Sequence, residues 1–137
     1  MIFRILDTSV ACAWYLPEAL TPSARRWQRM MLDGRAELRV PSFHFWEFGN
    51  VLRTHVRRGD LESELAAEIY AVHLDAPLVV VEPDRAGVLD LALRFEATVY
   101  DAVYLALSLE QQTPLLTAGR STAPWVRKLG KLADCLR

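Results

Sequence analysis

Met1-Ile2-Phe3-Arg4-Ile5-Leu6-Asp7-Thr8-Ser9, residues 1–9, places an aspartate directly after a mostly apolar run. Residues 2–6 have the length and the branched apolar side chains of a β-strand, and residues 8–15 continue as a short helical pattern. A strand that leads at once into a helix is the unit from which parallel sheets are built. Asp7 is therefore expected at the carboxyl end of a strand, where open parallel sheets bind ligands.

The same alternation of short apolar runs and longer helical patterns continues along the chain, without a repeat or a long linker. It predicts a single α/β domain over residues 1–137, with a central, mainly parallel sheet between helices. Residues 78–81, Leu-Val-Val-Val, have the strongest strand pattern, because a parallel strand covered on both faces is apolar throughout. Further strands are predicted at 37–40, 115–117 and 132–136, and further helices at 21–33, 42–59, 60–74, 83–95 and 101–111.

Composition limits the class of protein. With 137 residues, 52% of them hydrophobic and 24% charged, the chain fits one globular domain with a core. Cys12 and Cys135 form neither a disulfide framework nor a zinc-ligand pattern, so both are expected to be core residues in a reducing cytoplasm. Acids such as Glu82 interrupt the apolar runs well before the roughly 18 residues of a membrane span. The amino terminus lacks a basic region followed by an apolar one, so we expect no membrane association or export.

Three acids interrupt segments that otherwise have buried or amphipathic character. Asp7 ends the first apolar run. Glu47 stands among the aromatic residues of segment 45–48, and Asp101 precedes the apolar segment 102–107. An unpaired buried carboxylate costs several kcal/mol, so a shared divalent cation best explains the three. Asp7 is also compatible with a plain turn residue and Asp101 with a helix N-cap, whereas an acid among aromatic side chains is rarely just a surface residue.

Arginines cluster on two helical segments, although the formal net charge is only −1. Arg25, Arg26 and Arg29 form one cluster, and residues 53–58 hold the other. Such clusters suit phosphate backbones, but on a helix they are as often a solvated face. RNA contact by Arg25, Arg26 and Arg29 is therefore one of two open interpretations.

The aromatic and histidine residues carry weaker signals. Tryptophans at helical spacing are expected in the core more often than in base stacking, with Trp125, beside basic residues, as the best exception. His44, His55 and His73 lack metal-ligand spacing with one another, and His44 is predicted to be a hydrogen-bonded core or surface residue.

The segments that carry the acids resemble, in the same order, the motifs of PIN domains, and among these the VapC-type toxins most closely. The motifs are Leu6-Asp7-Thr8-Ser9, Glu47-Phe48-Gly49-Asn50-Val51-Leu52, Tyr100-Asp101-Ala102-Val103-Tyr104-Leu105-Ala106-Leu107 and Leu115-Leu116-Thr117-Ala118. The resemblance implies a three-layer α/β/α fold and a metal-dependent ribonuclease of a toxin–antitoxin pair. It also implies a homodimer that a cognate antitoxin neutralises.

The resemblance also implies roles for single residues. Asp7, Glu47 and Asp101 would be the catalytic, metal-binding acids, with Thr8, Ser9, Asn50 and Thr117 as supporting residues. Mg²⁺ or Mn²⁺ would be the cofactor and RNA the substrate. In the hydrolysis that follows, Glu47 would hold or deprotonate the attacking water.

One position departs from the family pattern. A fourth acid normally follows the strand at 115–117, and this chain has Gly119 there. Asp134 lies too far along the chain to replace it. Three acids are still enough for one Mg²⁺, which commonly uses one or two carboxylates plus waters. A tightly bound second ion is not expected.

Two other classes stay open. The missing acid at Gly119 is compatible with a catalytically impaired PIN-like module that binds RNA or protein. A phosphotransfer receiver or an aspartate-nucleophile phosphatase is the second class. Against it, Ser9 stands where that phosphatase has its second acid, and Thr117-Ala118-Gly119 stands where a receiver has its lysine.

Overall fold

The computed structural model describes residues 1–137 as alternating strands and helices. The strands are β1 (Ile2–Leu6), β2 (Ala36–Val40), β3 (Val79–Val80), β4 (Leu115–Thr117) and β5 (Ala133–Cys135). The helices are α1 (Thr8–Tyr15), α2 (Thr21–Leu32), α3 (His44–Arg58), α4 (Ser63–Leu74), α5 (Val88–Phe95), α6 (Val99–Gln111) and α7 (Pro124–Leu129). Short 3₁₀ turns occupy Arg85–Gly87 and Gly130–Leu132.

All five strands form one sheet in the order β3-β2-β1-β4-β5, and every pair is parallel. β1 is therefore the central strand, and β4 lies beside it with Leu6 opposite Leu116. The carboxyl ends of β1 and β4 consequently meet at one edge of the sheet. This confirms the prediction of a parallel α/β fold, in which Asp7 directly follows the central strand. The candidate site is predicted at this edge.

Alternating side chains of β1 divide the core into two layers. Leu6 packs with residues of α1, α2 and α3 in one cluster, whereas Ile5 packs with α6 and α7 in another. Both side chains are fully buried. Successive strand residues point to opposite faces, so the helices cover both faces of the sheet and give three α/β/α layers.

Strand β3 corrects one prediction. The run 78–81 was expected to be a strand covered on both faces, but only Val79 and Val80 form a strand, and they are 38% and 51% exposed. β3 is an edge strand, because its only partner is β2. An apolar sequence alone does not tell an edge strand from a central one.

Helix boundaries depart from the sequence pattern mainly at their amino ends. Thr98, not Asp101, caps α6, since its hydroxyl accepts the Asp101 backbone N–H at 3.0 Å. α4 begins at Ser63, whereas the sequence pattern predicts a start at residue 60. Gly59 does end α3 in the left-handed conformation, with φ of 84°. No helix combines the length and the apolar character needed to cross a bilayer.

Candidate active site

The three predicted acids come from three separate elements that meet at the carboxyl edge of β1. Asp7 follows β1 directly, Glu47 lies in the first turn of α3, and Asp101 is the third residue of α6. Each side chain is half-buried. The negative charges of Glu47 and Asp101 lie near enough to contribute to the raised pKa of Asp7. Glu47 and Asp101, which follow Asp7 by 40 and 94 positions along the chain, are thus brought to the same site as Asp7.

One oxygen of Asp7 is fixed by two hydroxyl groups. Ser9 Oγ donates to Asp7 Oδ2 at 2.9 Å and Thr117 Oγ1 donates to the same oxygen at 2.7 Å. The loop after β4 holds both hydroxyls, because Ala118 N–H donates to Ser9 and Gly119 N–H donates to Thr117. Asp7 Oδ1 makes no such bond, so one oxygen of the carboxylate is held and the other is available to a ligand.

The ionised form of the Asp7 carboxyl group is disfavoured at this site. Burial raises its pKa to about 6, and the charges of Glu47 and Asp101 add to the increase, although the hydrogen bonds from Thr117 and Ser9 lower it. Burial also raises the pKa of Asp101, against a lowering effect of Thr98. The site therefore favours whatever neutralises its acids, a proton or a cation.

Glu47 is held by two hydroxyl groups from two other helices. Thr8 Oγ1, on α1, and Tyr104 Oη, on α6, both donate to Glu47 Oε1, the second at 2.9 Å. Thr8 was expected to support the site, but sequence analysis missed Tyr104. A usable signal was present, since Tyr104 follows Asp101 by three residues and so lies on the same face of α6.

A buried chain of polar side chains continues inward from these hydroxyls. His44 Nδ1 lies 3.0 Å from Thr8 Oγ1, and His44 Nε2 lies 2.9 Å from His73 Nε2. His73 Nδ1 in turn lies 3.0 Å from Tyr15 Oη. Burial lowers the pKa of His44 to about 3, with a further effect of His73, and lowers that of His73 to about 4. Both imidazoles are thus neutral hydrogen-bonding groups, and of the two places predicted for His44, core or surface, the structure shows the core.

The carboxylates do not form a closed metal cluster by themselves. No three His, Cys, Asp or Glu side chains lie close enough together to ligate one ion. Asp134 takes no part, because it pairs with Arg4 at 2.8 Å on β5. Carboxylate oxygens are nevertheless the donors that Mg²⁺ and Mn²⁺ prefer, and Mg²⁺ needs only one or two of them when waters complete its shell. The donor set therefore fits a hydrated divalent ion.

Gly119 lies one hydrogen bond away from the held oxygen of Asp7. Its N–H donates at 2.9 Å to Thr117 Oγ1, the hydroxyl that donates to Asp7. A Cβ at this position would lie 3.1 Å from Thr117 Oγ1 and 3.4 Å from the ring of Trp125. Its φ angle is not in the positive range, so the backbone does not require glycine. A larger side chain here would crowd the support of Asp7.

The other predicted residues lie outside the acid cluster. Arg25, Arg26 and Arg29 are exposed on α2, and the Arg25 guanidinium donates to the carbonyl oxygen of Trp14. None of them makes a hydrogen bond or an ion pair with the acids, so RNA contact by these arginines stays a prediction. Asn50 is exposed on α3 and lines a groove with Glu47.

That groove has an aromatic lining. Its volume is about 370 Å³, and its walls are Phe43, Trp46, Glu47, Asn50 and Tyr100. Trp46 is 75% exposed and Tyr100 is 67% exposed. The expectation that tryptophans lie in the core is therefore wrong for Trp46.

Comparison with known proteins places this geometry in context. The family model described as PIN domain matches residues 4–123. The chain is 31% identical over 123 residues to Ribonuclease VapC3 of Pyrobaculum aerophilum, an alignment that covers 87% of this chain and 91% of that protein. The crystal structure of PAE2754 from Pyrobaculum aerophilum superposes with a TM-score of 0.71 at 20% identity, over 98% of this chain and 89% of that one. At that identity the second likeness concerns the fold alone.

Proposed function

Because the chain belongs to the PIN domain family, we propose that it is a divalent-metal-dependent endoribonuclease that hydrolyses RNA phosphodiester bonds. The observation that carries the proposal is the meeting of Asp7, Glu47 and Asp101 at one edge of the sheet. There burial, followed by the charges of the other two acids, raises the pKa of Asp7. Such an acid cluster is what a cation-dependent hydrolytic site requires. The name of the relative Ribonuclease VapC3 supports RNA as the substrate.

Asp7 and Asp101 are the residues that would hold the metal, and Glu47 would act on the attacking water. The ion is Mg²⁺ or Mn²⁺, since all the donors are carboxylate oxygens. When bound, such an ion neutralises charge on the phosphate and lowers the pKa of a coordinated water. The free Oδ1 of Asp7 suits this role, because Ser9 and Thr117 occupy only Oδ2.

Glu47 is the proposed general base. It accepts a proton from the water, whose oxygen forms a new bond to phosphorus. The bond to the leaving ribose oxygen breaks, and that oxygen takes a proton from solvent to become a hydroxyl. The Thr8 and Tyr104 hydroxyls hold Oε1 and leave Oε2 for the water. Positioning of this kind contributes to the rate, because the reacting atoms must lie within about 3–3.5 Å.

We also propose that the protein is the toxin of a VapBC-type pair, acting in the cytoplasm as a homodimer that a cognate antitoxin inhibits. The similarity to Ribonuclease VapC3 over most of both chains supports this placement. Apolar side chains at the surface support an assembly. Leu65 and Val72 on α4 are 48% and 59% exposed.

A catalytically impaired PIN-like module that binds RNA or protein is the second candidate. Gly119 favours it, because the position that carries the fourth acid in the family pattern offers only a backbone N–H to Thr117. The three remaining acids favour the enzyme, since one hydrated ion needs no more than one or two carboxylates.

Incubation of the purified protein with total RNA in Mg²⁺, in Mn²⁺ and in chelator tests the proposal. We expect cleavage with either metal and none in chelator. Asp7→Asn and Asp101→Asn should abolish it, whereas Asp75→Asn, an exposed acid on α4's carboxyl end, should not. RNA binding without cleavage in any metal would favour the second candidate instead.

A further inference from the structure

The two most exposed aromatic side chains stand directly before two of the three acids. Trp46 precedes Glu47 and is 75% exposed, and Tyr100 precedes Asp101 and is 67% exposed. Phe43 lines the same groove as both, with its ring 6.2 Å from that of Tyr100. Large aromatic side chains are normally buried, so two of them in water beside the acids call for a ligand.

The chemistry of this groove selects one kind of ligand. Its walls offer three aromatic rings, one amide on Asn50 and one oxygen-bearing acid, Glu47, and no cationic side chain. A phosphate would find no positive partner there. A flat, uncharged ring with hydrogen-bonding edges fits, because it can stack on Trp46 or Tyr100 and bond to the Asn50 amide.

We propose that the groove is a subsite for one unpaired nucleobase of the RNA strand, next to the bond that is cut. The inference rests on the ribonuclease function proposed above. Glu47 is both a wall of the groove and a proposed catalytic acid, so a nucleotide whose phosphate lies at the acids has a neighbouring base within reach. The nucleotide at this subsite is unpaired, since a paired base cannot enter the groove.

Steady-state cleavage of a short single-stranded RNA provides the test. Trp46→Ala and Tyr100→Ala should each raise KM about 10- to 100-fold with little change in kcat. Leu93→Ala, an equally exposed apolar side chain on α5, is the matched control and should leave both constants unchanged. A substrate with an abasic nucleotide next to the cleaved bond should raise KM for the parent by a similar factor. The same abasic substrate should not raise the KM of the Trp46 variant any further.

Binding in chelator separates this inference from the proposed function. The single-stranded RNA should bind the parent and quench tryptophan fluorescence, and it should bind the Trp46 and Tyr100 variants at least about 10-fold more weakly. A parent that binds in this way but cleaves in no metal would overturn the proposed function and leave the subsite standing. Equal affinity of parent and variants would overturn the subsite. So would variants that lose only dimerisation or antitoxin binding, because the groove would then receive protein.

A second inference rests on the buried polar chain behind Glu47. It runs from Tyr15 through His73 and His44 to Thr8, with successive distances of 3.0, 2.9 and 3.0 Å. Thr8 then donates to Glu47. His44 and His73 are fully buried, so each hydrogen bond must be made within the protein.

Counting protons gives this chain a direction. A carboxylate at Glu47 can only accept, and the Thr8 and Tyr104 hydroxyls, 2.6 Å apart, have two protons for their contacts with Glu47, with each other and with His44. A proton on His44 Nδ1, which lies 3.0 Å from Thr8 Oγ1 and 3.2 Å from Tyr104 Oη, supplies a third donor to this group. His44 Nε2 is left as an acceptor, and its partner His73 must donate from Nε2.

We infer that His44 and His73 are positioning residues that hold the Thr8 hydroxyl toward Glu47, with His44 protonated at Nδ1 and His73 at Nε2. With the opposite arrangement His44 Nδ1 would be a further acceptor, and the two hydroxyl protons would have to serve all five contacts among Glu47, Thr8, Tyr104 and His44. Outer partners of this kind orient the groups that touch substrate or metal, as in the outer shells of metal sites.

Nitrogen-15 NMR of the histidine side chains tests the arrangement without any need for activity. We expect the resonance pattern of a protonated Nδ1 for His44 and of a protonated Nε2 for His73, with His55 as the solvent-accessible reference. A protonated Nε2 on His44 would overturn the inference.

Kinetics test the positioning role. His44→Leu removes the donor and should lower kcat about 10- to 100-fold with KM unchanged. His44→Asn places an amide N–H where Nδ1 was and should recover most of the loss. Equal defects in both variants would show that His44 only fills space. If the leucine variant fails to fold, the asparagine variant and the NMR pattern still decide.

Discussion

Replacing Asp7 by asparagine should make the metal-free protein more stable at neutral pH, although it removes a proposed catalytic residue. Burial and the neighbouring acids raise the pKa of Asp7 from 3.8 to about 6. That is a shift of about 2 units, and each unit corresponds to about 1.36 kcal/mol. Carrying the charge in the folded state thus costs up to about 3 kcal/mol at pH 7.5. Asparagine avoids this cost and can keep both hydrogen bonds, because Ser9 and Thr117 donate to the same oxygen.

The advantage should depend on pH in a defined direction. Between pH 3.8 and about 6 the folded protein holds a proton on Asp7 that the unfolded chain has lost. Stability of the parent therefore falls as the pH rises through this window, whereas the asparagine variant lacks this dependence. We expect a difference of about 1–3 kcal/mol at pH 7.5 that shrinks toward zero near pH 4.

Urea denaturation followed by circular dichroism in chelator measures the effect at both pH values. Asp75→Asn is the control, because it removes an exposed charge of the same kind. Adding Mn²⁺ should stabilise the parent and leave the Asp7 variant unchanged, since a ligand stabilises only the state that binds it. The reasoning would be refuted by an Asp7 variant that is clearly less stable than the parent at pH 7.5. An advantage that is equal at pH 4 and pH 7.5 would refute it as well.

The remaining predictions concern the base, the missing acid and the assembly. Glu47→Gln should lower kcat about 100- to 10,000-fold in an RNA cleavage assay while the circular dichroism spectrum stays unchanged; a smaller loss would remove Glu47 as the base. Gly119→Asp should lower the melting temperature in chelator, because the new Cβ would lie 3.1 Å from Thr117 Oγ1 and the new carboxylate would add a negative charge. Mn²⁺ should restore the melting temperature. Identical Mn²⁺ titrations of parent and variant would exclude position 119 from the site. Light scattering should give twice the chain mass of 15.6 kDa, and glutamate at Leu65 and Val72 should reduce it to one chain if α4 forms the interface.

Local patterns determined most of the fold. The strand at Ile2–Leu6, the helix at Thr8–Tyr15 and the strand at Leu115–Thr117 have the boundaries that the sequence predicts. Periodicity, turn residues and strand length act over a few residues, so they are legible without the tertiary structure. The sequence also indicates where Asp7 and Asp101 lie, because one acid ends a strand and the other begins a helix, and ligand sites of parallel sheets lie at the carboxyl ends of the strands.

Only the tertiary structure decided what surrounds the acids. The sequence pattern does not reveal that β3 is an exposed edge, because strand order depends on which distant segments pair. Nor does it reveal the exposure of Trp46, whose neighbours Phe45 and Phe48 pack inward.

The hydrogen-bonded group that holds Glu47 is the clearest example. Within it Thr8 contacts Tyr104, 96 residues apart, and His44 contacts His73, 29 residues apart. Each of these residues taken alone fits an ordinary amphipathic helix. They become a hydrogen-bonded chain only because burial removes water and obliges every polar atom to find its partner within the protein.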